Sequence, residues 1–300
     1  MSYIYRLAGE KLELAEAELN SFLKSQGFDE KCERKGQLAF TDSEPSQLRR
    51  LGLVHDVCKE IDIDDFKVSG RYSVRAENLS GKDFDTKNSE KDLGAILSRI
   101  SNRVDLDNPE TIVKIYNTDD GVFHGVQVDS LPRGKFSQRS NEKRSFSSPV
   151  SLDPVLARVL VNLSEASFGE FVLDPFCGTG GILIEAGLCG LGVQGLDVQE
   201  EMVLGTQENL EEYGIISYDI RLGDVSDALI EFSKADVIVT DLPYGKASRS
   251  VNKPVEKFLN LIEDFDGNVV FMHDKPNLDD LSPDFELEVH KSLTRYIYRV

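Results

Sequence analysis

The sequence predicts an α/β second half built on a mostly parallel sheet, preceded by a smaller α+β first half. Three observations predict it. From residue 154 onward, apolar strand-like runs alternate regularly with helical segments, the pattern of a parallel sheet with helices on both faces. The chain has 300 residues, about twice a common domain length. Its 40% hydrophobic content supports packed cores and excludes a disordered or collagen-like chain.

The elements follow in order. Residues 3–7 alternate as a short strand. Residues 15–26 place Ala15, Leu19, Phe22 and Leu23 at helical spacing, with Gly27 as C-cap. Residues 37–40 read as a strand, 44–53 as a helix with Pro45 early in it, and 55–63 as another strand. RYSVRAENL, from Arg71, opens a new unit as a strand. Residues 89–103 are helical, carrying Leu93, Ile96, Leu97 and Ile100, and strands at 110–116 and 121–128 follow. The polar, basic stretch 131–148 reads as a linker. Beyond it a helix at 154–167 is capped by Asp153 with Pro154 at its first position. Strands at 171–174, 192–197, 219–222, 235–241 and 268–273 alternate with helices at 181–188, 200–213, near 227–232 and at 253–263. Residues 285–300 form a terminal hairpin. The domain expectation is therefore 1–60, 61–130, a linker at 131–148, and 149–300.

Several function classes drop out. No apolar run approaches the roughly 18–20 residues that span a bilayer, and the N-terminus lacks the pattern of a signal peptide. Cys32, Cys58, Cys177 and Cys189 show no C-x-x-C spacing, which argues against zinc or a disulfide framework and suits a reducing cytoplasm. His55, His124, His273 and His290 show no metal spacing, so no metal is expected. Cys177 has no His partner nearby in sequence and reads as a small filler. Residues 62–65 read as a solvated acidic loop.

The formal net charge of −19 is unevenly spread. Residues 1–150 hold 23 Lys+Arg against 26 Asp+Glu, and residues 151–300 hold 11 against 27. The stretch RGKFSQRSNEKR, 133–144, has five basic residues and one acidic one. Such a stripe reads either as a solvated linker or as a grip for phosphates, in which case Arg133, Lys135, Arg139, Lys143 and Arg144 hold them.

Four motifs carry chemistry. LDPFCGTGG, 173–181, joins a buried strand to a helix. Its Gly-rich turn lets a ligand approach the backbone beside free helix N–H groups. It is neither G-x-G-x-x-G, since Leu183 stands where the third Gly belongs, nor a P-loop. Asp174 there repels a pyrophosphate and welcomes a cation. LDV, 196–198, puts Asp197 at the next strand end, where a carboxylate accepts from ribose hydroxyls. GDV, 223–225, puts Asp224 at the third strand end, suited to an adenine amino group. VTDLPYG, 239–245, ends the fourth strand.

DPFCGTGG, an acidic second strand end and D-x-P-Y-G together resemble the S-adenosylmethionine-dependent amino-methyltransferases, which carry an N/D-P-P-Y/F/W tetrapeptide and methylate exocyclic amines. The resemblance implies a Rossmann-like class I S-adenosylmethionine-dependent methyltransferase domain preceded by an α+β ferredoxin-like/THUMP RNA-binding region. It implies that Asp174, Pro175, Phe176, Gly178, Thr179, Gly180, Asp197, Asp224 and Val225 hold S-adenosyl-L-methionine. It also implies that Asp241, Leu242, Pro243 and Tyr244 form the catalytic tetrapeptide. The physical logic agrees. The lone pair of guanine N2 is delocalised into the ring, so acceptors that grip its N–H bonds, the Asp241 carboxylate and the Leu242 carbonyl, aim it. Pro243 stiffens the turn, and a Tyr244 ring stacked on the base contributes roughly 1–3 kcal/mol. Leu242 replaces the commoner first Pro, which changes rigidity and keeps the backbone carbonyl.

SPVSLDPVLARVLVNLSEA, 148–166, resembles the segment before the catalytic core of archaeal and eukaryotic tRNA guanine-N2 methyltransferases. RYSVRAENL and NRVDLDNPETIVKIYNTDDGVFHGVQVD resemble a THUMP domain, a module that binds tRNA by its 3′ acceptor end. The family implied is the THUMP-domain tRNA guanine-N2 methyltransferases, guanosine-10 type, placing one or two methyl groups on tRNA in the cytoplasm, with a monomer favoured. The alternatives are a guanosine-6 enzyme, an inactive tRNA-binding relative, and a DNA or protein amino-methyltransferase. The intact Gly-rich turn and tetrapeptide argue against the inactive form. The first half, with neither a DNA-recognition nor a release-factor-docking pattern, argues against the last.

Overall fold

A computed structural model gives the fold, and the structure describes residues 2–44, 46–100, 103–148, 151–243, 252–290 and 293–300. The chain divides into two compact units, Gly27–Pro132 with Met1–Leu23, and Arg133–Val300 with Lys24–Gln26.

The first unit contains β1 (Tyr3–Leu7), all but the last two residues of α1 (Leu12–Ser25), β2 (Glu33–Lys35), β3 (Leu38–Thr41), β4 (Val54–Glu60), β5 (Tyr72–Asn78), α2 (Thr86–Ser98), β6 (Thr111–Thr118) and β7 (Gly121–Ser130). They form one sheet in the order β2-β3-β1-β4-β7-β6-β5. Among its described strands β5 and β6 alone pair in parallel, as a β-α-β unit around α2 requires. α1 ends where expected: Gly27 has φ +82°, and the Phe28 N–H donates to the Leu23 carbonyl at 3.1 Å. The α+β segments expected at 1–60 and 61–130 share this sheet through β4 and β7. Lys114 on β6 lies between Asp56 (3.3 Å) and Glu77 (2.5 Å), a buried bridge from β4 to β5.

Three expectations change. The helix expected at 44–53 is a single 3-10 turn, Leu48–Arg50. Gln47 is left-handed at φ 50°, and the N–H groups of Gly52 and Leu53 donate to the buried Glu18 carboxylate at 2.7 and 2.8 Å, so they do not serve a helix. α2 starts earlier than expected because Asp85 caps it, accepting from Asn88 N–H at 3.0 Å. β2 is short and polar and carried no apolar signal.

The second unit begins with 3-10 turns at Arg133–Arg139 and Asn141–Lys143, so part of the expected linker is ordered onto it. Then come α3 (Pro154–Leu163), β8 (Phe171–Asp174), α4 (Gly181–Leu188), β9 (Gly192–Asp197), α5 (Glu200–Glu212), β10 (Tyr218–Leu222), α6 (Ala228–Glu231), β11 (Val237–Asp241), α7 (Asn252–Glu263), β12 (Asn268–His273), β13 (Phe285–His290) and β14 (Leu293–Arg299). Asp153 caps α3 as the sequence predicts, accepting from Val155 and Leu156 N–H. The sheet runs β10-β9-β8-β11-β12-β14-β13. Its first five strands are parallel, and β14 returns antiparallel to β12.

Strand order reverses between β8 and β11. A crevice opens at such a reversal, beyond the carboxyl ends of the strands. The core beneath includes Leu173, Leu196, Ile238, Leu242, Phe258, Phe271 and Tyr298. Phe271 stacks on Tyr298 at 4.7 Å, Phe258 meets Phe271 at 5.2 Å, and Phe176 meets Phe258 at 6.1 Å. This row ties the turn after β8 to the core.

Candidate active site

A cavity of about 590 Å³ lies at the reversal point, lined by the turn after β8 and by the ends of β9 and β11. It brings together Asp174, Pro175, Phe176, Gly178, Thr179, Asp197, Asp224, Val225, Asp241, Leu242 and Pro243. Gly180 is not part of the lining and caps α4. Tyr244 lies outside the described residues.

The turn is fixed from several sides. Gly178 and Gly180 have φ +51° and +77°, which suits glycine. A Cβ at Gly178 would meet no protein atom closer than 4.0 Å, so that edge is open. The Thr206 hydroxyl donates to the Gly178 carbonyl at 2.6 Å, and Asn209 donates to the Thr179 carbonyl at 2.9 Å. The Asp197 carboxylate accepts from Gly178 N–H (3.1 Å) and Gln199 N–H (2.9 Å). Those two bonds leave it capacity for further donors. Neither Thr206 nor Asn209 stood out in the sequence, because both read as ordinary positions of an amphipathic helix.

The four acids differ in environment. Asp174 is buried and accepts from Thr240 Oγ1 (2.6 Å) and Phe176 N–H (3.0 Å). Burial pushes its carboxyl up to about 7, with Asp197 adding to the rise. Burial also raises Asp197. Asp224 is the reverse case: the Lys257 ammonium at 2.8 Å and the Ser226 hydroxyl hold it down at about 2. Its Oδ1 takes those bonds, leaving Oδ2 as an acceptor. Asp241 ion-pairs with Arg295 of β14. Lys257 and Arg295 were not singled out in the sequence. The signal for Arg295 was its place on the same strand face as the buried Ile297.

The basic stretch divides. Lys135 and Lys143 are exposed, and Arg133 is half-buried. Arg139 instead makes two bonds to the fully buried Glu185 (2.7 and 3.0 Å), which also pairs with Arg158 at 2.8 Å. Arg144 is buried against Gly181, where an added Cβ would come within 3.1 Å of Nη1. Arg139 is thus engaged by Glu185 and half-buried, and Arg144 is buried. Among the described residues no group of three or more metal-ligating side chains converges, and no helix is long and apolar enough to cross a membrane.

The strand order, the Gly-rich turn at the reversal point and the carboxylates around it define a class I S-adenosylmethionine-dependent methyltransferase. Residues 141–281 match the family described as RMKL-like, methyltransferase domain. The tRNA (guanine(10)-N2)-dimethyltransferase of Methanothermobacter thermautotrophicus is 33% identical over 99% of this chain and 98% of its own length. That of Pyrococcus abyssi is 35% identical over 77% of this chain and 74% of its own. The chain belongs to this family of tRNA (guanine(10)-N2)-dimethyltransferases. The crystal structure of TrmN from Thermus thermophilus covers 100% of this chain and 99% of its own at TM-score 0.54 and 21% identity, a likeness of fold.

The cofactor fits the donor set. S-adenosylmethionine carries an ammonium and a sulfonium, and the cavity wall carries four carboxylates. A pH dependence follows from Asp174. If Asp174 meets the cationic part of the cofactor, only its ionised form attracts it, and cofactor affinity is expected to rise with pH and to be about tenfold weaker at pH 6.0 than at pH 7.5. Stability without cofactor moves the other way. Between about pH 4 and 7 the folded chain keeps a proton that the unfolded chain has released, so stability falls as pH rises. Calorimetric titration across this window checks the first statement, and affinity that is flat with pH would remove Asp174 from contact with the cation.

Proposed function

We propose that this chain methylates the exocyclic N2 of guanosine 10 in tRNA. One observation carries the reading: Asp241, Leu242 and Pro243 line the same cavity as the Gly-rich turn after β8. When bound, S-adenosylmethionine supplies a methyl group on a positively charged sulfur. Asp174 and the turn face its cationic part, Asp197 accepts from its ribose hydroxyls, and Asp224 Oδ2 accepts from its adenine amino group. Asp241 and the Leu242 carbonyl accept the two N–H bonds of guanine N2 and aim its lone pair into the cavity. The Leu242 side chain is buried in the core and its N–H donates to the Met272 carbonyl at 2.9 Å, so the acceptors sit on a fixed backbone. Transfer would form the N2–C bond as the C–S bond breaks, its electron pair leaving with the neutral thioether, and one N2 proton would pass to the Asp241 carboxylate directly or through water. Most of the rate enhancement is positioning.

A guanosine inside a stem is unstacked to enter such a cavity, at a cost of a few kcal/mol. Lys135 and Lys143 hold tRNA phosphates, and the first unit supplies further grip as a THUMP-type module. The names of the two relatives favour guanosine 10 over guanosine 6. The test is incubation of unmodified tRNA with labelled cofactor, then nucleoside mapping. N2-methylated guanosine at position 10 is expected, and dimethylguanosine on longer incubation. Label in adenosine or cytidine refutes the substrate, and label at position 6 refutes the position.

A further inference from the structure

We propose that Arg295 is a positioning residue for Asp241, holding one carboxylate oxygen so that the other is presented to the substrate amine. This rests on the amine-methylating reading above. Asp241 ends β11, and Arg295 lies on β14, with β12 between them. Two strand spacings are about 10 Å, a gap that a long side chain must cross. Tyr296 pairs with His273, so Arg295 lies just past the carboxyl end of β12, the end at which Asp241 sits.

The exposures are asymmetric. The Arg295 side chain is 4% exposed and that of Asp241 is 19%. The guanidinium therefore sits behind the carboxylate, which alone lines the cavity. Burial lowers Arg295 only to about 10, so it stays charged at neutral pH. Nη2 donates to Oδ1 of Asp241. That bond limits rotation of the carboxylate and leaves Oδ2 for the amine. A carboxylate released from this bond samples other orientations, and small misplacements of a reacting group cost rate steeply. Arg295 touches neither substrate nor cofactor in this scheme, so its removal lowers kcat and spares cofactor binding.

The test uses the full chain with tRNA transcript and S-adenosylmethionine. Arg295→Ala is expected to lower kcat about a hundredfold, with the KM for cofactor within about threefold of wild type. Arg295→Lys, which keeps the charge and loses the planar fork, recovers about tenfold of that loss. A purely structural role is separated by a double-mutant cycle. In an Asp241→Asn background the ion pair is already gone, so Arg295→Ala costs little more. An equal loss in both backgrounds overturns the proposal, as does a kcat within threefold of wild type. If Arg295→Ala fails to fold by circular dichroism, Arg295→Lys in the two backgrounds gives the same comparison. A wild-type chain that leaves tRNA unlabelled refutes the functional reading instead, and that outcome is separate.

Discussion

Asp241→Ala lowers methyl incorporation by at least about a thousandfold while cofactor affinity stays within about threefold. In the proposed scheme the mutation removes the carboxylate that holds the amine, and it leaves the turn after β8, with Asp174 and Asp197, intact. It also takes the Asp241 carboxylate from the buried, charged Arg295. Stranding one partner of a buried pair costs about 3–5 kcal/mol. The low end applies here because Asp241 is partly open to the cavity. For a unit of this size that lowers Tm by roughly 6–12 °C. Asp241→Ala combined with Arg295→Met removes the stranded charge, and it recovers most of the Tm and none of the activity. Thermal melts and single-turnover methylation separate the two effects. Retention of more than a tenth of wild-type kcat by Asp241→Ala would take the amine-holding role away from this carboxylate, and a parallel collapse of cofactor affinity would move that role to the cofactor.

Much of the second unit was legible because parallel strands buried on both faces are written as continuous apolar runs, and the acids that follow them stand out. FVLD, GVQGLD and VIVTD each end on the carboxylate that lines the cavity. The Gly-rich turn was legible for a similar reason: two of its glycines, Gly178 and Gly180, take conformations that few other residues adopt. What stayed hidden was pairing over long sequence separations. Nothing local in RYSVRAENL or TIVKIY announces that Lys114 bridges Asp56 and Glu77, and nothing in the stretch 44–53 shows that Glu18 claims its N–H groups. The traces that did exist were parity and context. Arg295 shares a strand face with Ile297, and Glu185 is the lone acid in GILIEAGL. A charge on an otherwise apolar face is a request for a partner, although the sequence does not say where that partner lies.

Glu185 carries the second large effect. It lies on α4, directly after the cofactor turn, and is fully buried. Arg139 grips it with two bonds and Arg158 with a third, and both guanidinium groups lie over the Phe136 ring at 4.8 and 5.6 Å. This cluster fastens the 3-10 turn at Arg133–Arg139 to α3 and α4. Glu185→Ala takes the shared carboxylate from the buried Arg158 and the half-buried Arg139 and costs about 3–5 kcal/mol, a Tm loss of roughly 6–20 °C. Glu185→Gln keeps the shape, loses the charge and falls between. The consequence for RNA separates this structural role from a phosphate-binding one. If Arg139 serves Glu185, then Arg139→Ala lowers Tm and leaves the salt dependence of tRNA binding unchanged. Lys135→Ala and Lys143→Ala leave Tm alone and each flatten the salt slope by about one phosphate contact. An Arg139→Ala chain with normal Tm and a reduced salt slope would return that arginine to the RNA surface, and with it the reading of 133–144 as one continuous basic stripe.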